Sequence, residues 1–561
     1  MLFNSPVFIA LFLPLAWCGY RLCALLGTQI AKIWLIIASL CFYAWWNTSF
    51  TTLLCGSILF NYFIGLLIIR LQSYRFWQSF VLISGVTLNL LVLCFYKYLF
   101  SILQALRGAG LDVPFIIPDV AFFLGIPFVT LLHFPLRIAD ITLPLGISFF
   151  TFTQIGYLVD CKGNAVKDKQ FPDYALFVTF FPHLIAGPIL YHREMIPQFT
   201  NPATYRFNFD NVVLGLAIFL LGLAKKVVIA DYFAVIANTT FSHVDHLSLL
   251  QAWSGTLSFT LQIYFDFSGY SEMAMGLALL FNLRFPANFD SPFKSTSIIE
   301  FWQRWHMTLT RYLTNYLYNP MALWIRRRRV ARGKNISHHA LTTVEGFGAL
   351  VAFPTIITMM LAGIWHGAGL QYLVFGTLHG LYLTINHAWR IFRSKTARKA
   401  PHAIVQRFKT AGNIILTITA VIVANVFFRA VSVNDSLLIL HSMLGMNELY
   451  GYNAFDAPPG LIEQWLVQDN RIHYIHNPYL SPAEIANIFS IVLTFLFIWT
   501  MPNILQIFSP YTPSLSIAQT PPSAFLRKCP SFILGIIIGL IAILGILNLT
   551  NNFIPFIYFK F

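Results

Sequence analysis

Apolar stretches long enough to cross a bilayer recur along this chain, and they constrain its fold more than any other feature. A membrane span needs roughly 20 apolar residues, with a range of about 17 to 25. Stretches of this kind lie at 7–26, 32–46, 50–69, 78–100, 211–230, 250–282, 342–364, 369–389, 411–431, 485–507 and 530–550. The second is short, and the sixth is long enough to be tilted or broken. In hydrocarbon every backbone N–H and C=O must be satisfied within the protein, so such runs are read as helices. The expected fold is an all-α polytopic membrane protein. Charged residues make up only 10% of the chain, against about 25% in soluble domains.

The region 114–192 is apolar but interrupted by Pro127, Pro135, Pro144, Pro172, Pro182 and Pro188. Broken or re-entrant helices are tolerated where backbone faces protein or a watery cavity, so a core of that kind is expected there. The net charge of +15 sits in short loops between apolar stretches, as helix orientation in a membrane requires. No RNA- or DNA-binding motif accompanies it, and nucleic acid is not an expected partner. Arg70 and Arg75, Arg326 to Lys334, Arg390 to Lys409, and Arg527 with Lys528 mark the basic loops, whereas 447–484 is acidic. Placing the basic loops in the cytoplasm and 447–484 outside satisfies every span after residue 340. Both chain ends are then expected outside. The opening Met-Leu-Phe-Asn-Ser-Pro lacks a basic leader, so the first apolar stretch is expected to be a retained helix. The seven cysteines show neither metal-ligand nor disulfide spacing and read as small buried hydrophobes.

Two histidines on apolar elements carry the candidate chemistry. His366 lies in Leu361-Ala-Gly-Ile-Trp-His-Gly-Ala-Gly369, at the turn between two apolar runs. An ionisable side chain at membrane depth is costly and usually faces a cavity. The charge pattern directs this turn away from the cytoplasm. Gly363, Gly367 and Gly369 allow close approach of backbone or substrate. His306 lies in Glu300-Phe-Trp-Gln-Arg-Trp-His-Met-Thr-Leu-Thr-Arg-Tyr-Leu-Thr-Asn-Tyr-Leu-Tyr318. That segment reads as one amphipathic helix near an interface, with Trp302, Trp305, Leu309, Tyr312, Leu313 and Tyr316 on one face. Histidine titrates near neutral pH and takes a proton from a hydroxyl, a contribution of about 10²–10⁴-fold in rate. The bland alternatives are a histidine bonded to a neighbouring helix and an interfacial helix with an incidental histidine.

Other chemistries find little support. There is no His-Glu-x-x-His motif; His243-Val-Asp-His246 and His473-Tyr-Ile-His476 have ligand-like spacing but lie in polar connecting segments. No bound metal or cofactor is expected. Gly-x-Ser-x-Gly, Walker and Rossmann motifs are missing. The Arg326–Arg329 cluster suits the phosphates of coenzyme A or an acidic carrier protein, but topology and anionic lipid explain it more simply. No internal repeat is visible, which weakens a secondary-transporter reading.

The chain resembles the membrane-bound O-acyltransferases of the bacterial alginate and peptidoglycan O-acetyltransferase branch. The resemblance is carried by Asn89-Leu-Leu-Val-Leu-Cys-Phe-Tyr-Lys-Tyr98, Leu143-Pro-Leu-Gly-Ile-Ser-Phe-Phe-Thr-Phe152 with Tyr157-Leu-Val-Asp160, Phe180-Phe-Pro-His-Leu-Ile-Ala-Gly-Pro-Ile189 and Gly222-Leu-Ala-Lys-Lys226 with Ala230-Asp231. It continues through Tyr264-Phe-Asp-Phe-Ser-Gly-Tyr270, Phe301-Trp-Gln-Arg-Trp-His306, Ile364-Trp-His-Gly-Ala368, Val426-Phe-Phe-Arg-Ala430 and Phe556-Ile-Tyr-Phe-Lys-Phe561, and the opening Met1-Leu-Phe-Asn-Ser also fits. Each motif alone is weak; their shared order is specific.

The resemblance implies a ring of transmembrane helices, some broken or re-entrant, around a funnel and tunnel. It implies one integral domain over 1–561, a catalytic core at about 89–390, and C-terminal helices over 411–561 with the external loop 447–484. His366 falls on the family's principal catalytic histidine and His306 on its second active-site position. Trp365, Arg304, Trp305, Asp266 and Ser268 fall on motif positions with supporting roles. His183 stands where related sequences often carry Gln, and a structural and a functional role are both open. The implied function is O-acyl transfer, with acetyl-CoA or another acyl thioester as donor. The implied acceptor is a glycan beyond the cytoplasmic (inner) membrane of a bacterium, such as alginate, another polysaccharide or peptidoglycan. Partners would be the lipid bilayer and a periplasmic or extracellular SGNH-type acetyltransferase. D-alanyl transfer toward teichoic acid, or non-enzymatic transport of a small anion or lipid, are the alternatives.

Overall fold

The computed structural model describes residues 1–108, 116–117, 136–137, 143–166, 169–393, 403–446, 482–515, 531–550 and 554–557. The acidic segment expected outside, 447–484, falls almost wholly beyond these residues. Among the described residues seven helices are long and apolar enough to cross a bilayer, and two shorter apolar helices, Thr28–Ala44 and Gly535–Leu547, accompany them. The chain is an all-α polytopic membrane protein. A two-residue antiparallel pairing of Ile116–Ile117 with Leu136–Arg137 is the exception to helix.

The first helices follow one another through short connections and pack side by side: Phe8–Leu26, Thr28–Ala44, Thr48–Arg70 and Arg75–Lys97. Their outer faces carry exposed Leu, Ile and Phe side chains such as Leu25, Phe63 and Phe76, as lipid contact demands. Over its described residues from 143 onward the Pro-rich region is broken. Its helices are short, Ile147–Lys162, Phe171–Thr179, Phe181–Leu184 and His192–Thr200. Pro172 and Pro182 sit in the first turns of their helices, where a missing N–H leaves no intrahelical bond unmade. Nearly every side chain from Tyr174 to His192 is buried, so this irregular backbone is enclosed by protein.

At the centre stands Leu249–Leu280, 32 residues and about 48 Å long at 1.5 Å per residue. It is unbroken, where its length alone left a break open. Ser248 and Gln251 close its N-terminus in a capping box. It is buried on almost all sides from Ser258 to Leu280, and it packs on Phe209–Ala224, Asp231–Ser242 and Ala403–Arg429. Against Phe209–Ala224 the approach is backbone to backbone: a Cβ on Gly215 would lie 2.7 Å from the Gly276 carbonyl, and one on Gly222 2.6 Å from that of Gly269. Small residues at such seams substitute close packing for the missing hydrophobic drive in lipid.

The segment Glu300–Tyr318 differs from the expected single interfacial helix. It is two helices, Ile298–Arg304 and Met307–Leu313, the second continuing through Thr314–Tyr318 into Asn319–Ala331. Trp302, Leu309, Tyr312 and Leu313 point into the protein core, not into headgroups. The break falls at His306, whose backbone is left-handed, φ 43° and ψ 52°. Periodicity alone gave no sign of it, because neither Gly nor Pro stands there.

Candidate active site

The left-handed turn at His306 is held by the segment that precedes it in the chain. Asp290 N–H donates to the Arg304 carbonyl at 3.0 Å, and Met307 N–H donates to the Asn288 carbonyl at 2.9 Å. A non-glycine residue in this conformation costs about 1–3 kcal/mol and persists where its surroundings over-determine it. The two backbone bonds do so here. They also bring the Asn288 side chain against the His306 ring, with His306 Nδ1 3.0 Å from Asn288 Oδ1. The same oxygen receives the Thr308 backbone N–H at 3.3 Å and the Thr308 hydroxyl at 2.9 Å.

His366 is the last residue of Phe353–His366, and Leu370–Phe392 follows in an antiparallel hairpin. The hairpin is tight: a Cβ on Gly363 would lie 2.2 Å from the Tyr372 carbonyl. What approaches Gly363 is therefore backbone. The His366 ring packs edge-on against Phe428, 5.1 Å away, and Phe375, 6.0 Å away.

These two histidines, 60 residues apart in sequence, line one cavity. A third, His379, lines it too, one turn beyond Phe375 on the second arm of the hairpin. All three are at most 5% exposed. The remaining wall is apolar and aromatic apart from Asn425, and Trp302 and Trp305 are part of it. Among the described residues no group of three His, Cys, Asp or Glu side chains is placed to hold a metal ion. The cavity offers imidazoles in an apolar enclosure, which suits proton transfer at a hydroxyl.

The other candidate residues occupy different positions. Trp305 lines the cavity and stacks on Phe301 at 5.6 Å. Arg304 sits behind it, paired with Glu300 at 2.9 Å and donating to the Asp290 carbonyl at 3.3 Å. Trp365 lies outside the cavity wall and stacks on Phe152 at 5.2 Å. Asp266 belongs to a buried ion cluster: Lys226 Nζ lies 2.6 Å from Asp266 and 2.7 Å from Asp231, and Asp266 also accepts the Ile557 N–H at 2.8 Å. Ser268 is fully buried on the same central helix, outside the cavity wall. His183 is buried with Nε2 2.8 Å from the Phe177 carbonyl and likewise lies outside that wall.

Sequence reasoning passed over His379 and Lys97. Both are ionisable groups in apolar stretches, the signal that singled out His366. Lys97 Nζ donates to the Trp365 carbonyl, and Tyr98 Oη donates to that of Ile364 at 2.8 Å.

The profile of the membrane-bound O-acyltransferase family matches residues 40–336, more than half of the chain. The chain belongs to this family. The O-acyltransferase is 36% identical over 523 residues to the peptidoglycan O-acetyltransferase of Helicobacter pylori, covering 88% of this chain and 89% of that one. It is 38% identical over 393 residues to the probable alginate O-acetylase of Pseudomonas aeruginosa, 69% of this chain and 66% of that one. Similarity to the teichoic acid D-alanyltransferase of Streptococcus thermophilus is lower, 26% over 265 residues, 46% of this chain and 59% of that one. The O-acyltransferase is therefore an enzyme of the membrane, and its histidine-lined cavity is the candidate seat of acyl transfer.

Proposed function

We propose that this enzyme moves an acetyl group from a cytoplasmic acyl thioester, acetyl-CoA being the simplest, toward a hydroxyl of a glycan on the far side of the bacterial inner membrane. The observation that carries the reading is the meeting of His306 and His366 on one buried cavity in a member of an acyltransferase family. A glycan acceptor is supported by the two acetylating relatives, whose similarity covers more of the chain at higher identity than that of the D-alanyltransferase. Handover to a secreted SGNH-type acetyltransferase belongs to the same reading, as does an orientation with the basic loops in the cytoplasm.

In this reading His366 is the base that accepts the proton of the attacking hydroxyl. His306, its Nδ1–H directed at Asn288 Oδ1, turns the lone pair of Nε2 toward the reactants and orients them. Enclosure between helices supplies alignment, the second large contribution to rate.

The test is acetyl transfer from labelled acetyl-CoA, supplied on the face of the basic loops in proteoliposomes, with a glycan fragment on the other side. His366→Ala is expected to lower turnover by about 10²–10⁴-fold without loss of membrane insertion. Wild-type rates in that variant would remove His366 from the reaction.

A further inference from the structure

His379 is held in the opposite tautomer to His306. The indole Nε1–H of Trp302 donates to His379 Nδ1 at 3.2 Å. An indole is a donor only, so Nδ1 must present its lone pair, and the neutral ring carries its proton on Nε2. At His306 the order is reversed. Asn288 Oδ1 accepts the Thr308 backbone N–H, which fixes that atom as oxygen, because a turned amide would set N–H against N–H. His306 Nδ1 therefore donates, and its lone pair is on Nε2. The two rings that line one cavity are thus held in opposite tautomers, His306 with its lone pair on Nε2 and His379 with its proton there. The His379 ring is clamped between Phe375 at 4.7 Å and Trp302 at 5.1 Å, so its donor is fixed in direction.

We infer that His379 is a further catalytic residue, whose Nε2–H binds the thioester carbonyl and holds the oxyanion formed during transfer. The inference rests on the acyl-transfer reading. In the step the hydroxyl oxygen bonds to the acyl carbon and its proton passes to a histidine lone pair. The carbonyl oxygen carries the negative charge until the C–S bond breaks. The thiolate then leaves and takes up that proton as the free thiol. A donor pre-set at the developing charge, in a site closed to water, is typically worth about 10²–10³-fold in kcat. Trp302 is then a positioning residue, since it decides which nitrogen of His379 holds the proton.

The experiment is steady-state turnover of the full-length protein in proteoliposomes with acetyl-CoA as the probe. His379→Ala, His379→Gln and Trp302→Phe are compared, with thermal unfolding in detergent as the check on folding. A glutamine supplies both an oxygen for the indole N–H and an N–H for the cavity. His379→Ala is expected to lose about 10²–10³-fold in kcat with KM for acetyl-CoA within threefold. His379→Gln should regain at least tenfold of that loss, and Trp302→Phe should fall between wild type and His379→Ala. The inference is overturned by a kcat within threefold of wild type in His379→Ala. It is overturned equally by losses of the same size in the alanine and glutamine variants, both normally folded. Absence of acetyl transfer by the wild type would overturn the acyl-transfer reading and this inference with it; unimpaired His379→Ala beside an active wild type overturns this inference alone.

Discussion

Lys97 holds the carbonyl of Trp365, the residue immediately before His366. The last four carbonyls of a helix have no intrahelical partner, and a cation at that end also meets the negative end of the helix dipole. Lys97 does both, with its ammonium 5.7 Å from the Trp365 ring centre. The adjacent Tyr98 takes the next carbonyl back, that of Ile364. The end of the helix that carries His366 is thereby fixed to Arg75–Lys97, a helix from a distant part of the sequence.

Lys97→Met is therefore expected to displace the His366 ring while leaving the cavity wall in place. Small displacements of a reacting group cost up to about 10²-fold. The variant should lose between about 10- and 10²-fold in kcat, with KM within a factor of three. Tyr98→Phe removes one hydrogen bond worth about 1 kcal/mol and should lose less than tenfold. Initial rates of acetyl transfer check both, and a Lys97→Met enzyme at wild-type kcat would exclude the positioning role.

Asn288 gives a second handle, because three donors converge on its Oδ1 while its Nδ2 donates to Ser271 Oγ at 3.1 Å. Asn288→Leu leaves those donors unpaired, at about 1–3 kcal/mol for each buried group, and frees His306 to move its proton to Nε2. Asn288→Asp keeps an acceptor in place, and the Ser271 hydroxyl can donate to it in turn. The leucine variant should unfold at lower temperature and turn over at least tenfold more slowly than the aspartate variant. Equal rates in the two would show that the tautomer of His306 is irrelevant to turnover.

The spans were legible because hydrocarbon leaves the backbone no option but helix, and the breaks at Pro172 and Pro182 because proline marks first turns. The cavity was half legible. His366 announced itself as an ionisable group between apolar runs, and the motif order paired it with His306. Nothing local foretold the turn at His306, which is imposed by backbone bonds from Asn288 and Asp290. The tautomers were equally hidden, since they depend on partners 18 and 77 residues away. Asp266 illustrates the converse. It stands two residues from Ser268 in a family motif, yet it faces Lys226 and the C-terminal segment instead of the cavity.

Asp266 should accordingly act on stability more than on chemistry. Without Asp266 the Lys226 ammonium keeps Asp231 as counter-ion, so the cost is that of buried donors left unsatisfied, about 1–3 kcal/mol for each. Asp266→Ala would orphan part of the Lys226 ammonium and the Ile557 N–H together. A lower unfolding temperature in detergent and faster protease cleavage near the C-terminus are expected. Asp266→Asn, whose amide oxygen can still accept the Ile557 N–H, should recover part of that loss. A single variant as stable as wild type would show that the cluster contributes little to the fold.

The hairpin seam sets the last expectation. Gly363 and Gly376 face each other with their Cα atoms in reach, and a Cβ on Gly376 would lie 2.3 Å from the Met359 carbonyl. That neighbour is helix backbone and cannot turn aside, so any side chain there must part Phe353–His366 from Leu370–Phe392. These arms carry His366 and His379. Gly376→Val should therefore remove activity through geometry: turnover lost by at least 10²-fold, together with a lower unfolding temperature. Gly412→Val, on a helix where a Cβ meets nothing within 4 Å, should leave both readings near wild type. If the two variants behaved alike in activity and unfolding, close contact between the arms would not be what aligns the histidines.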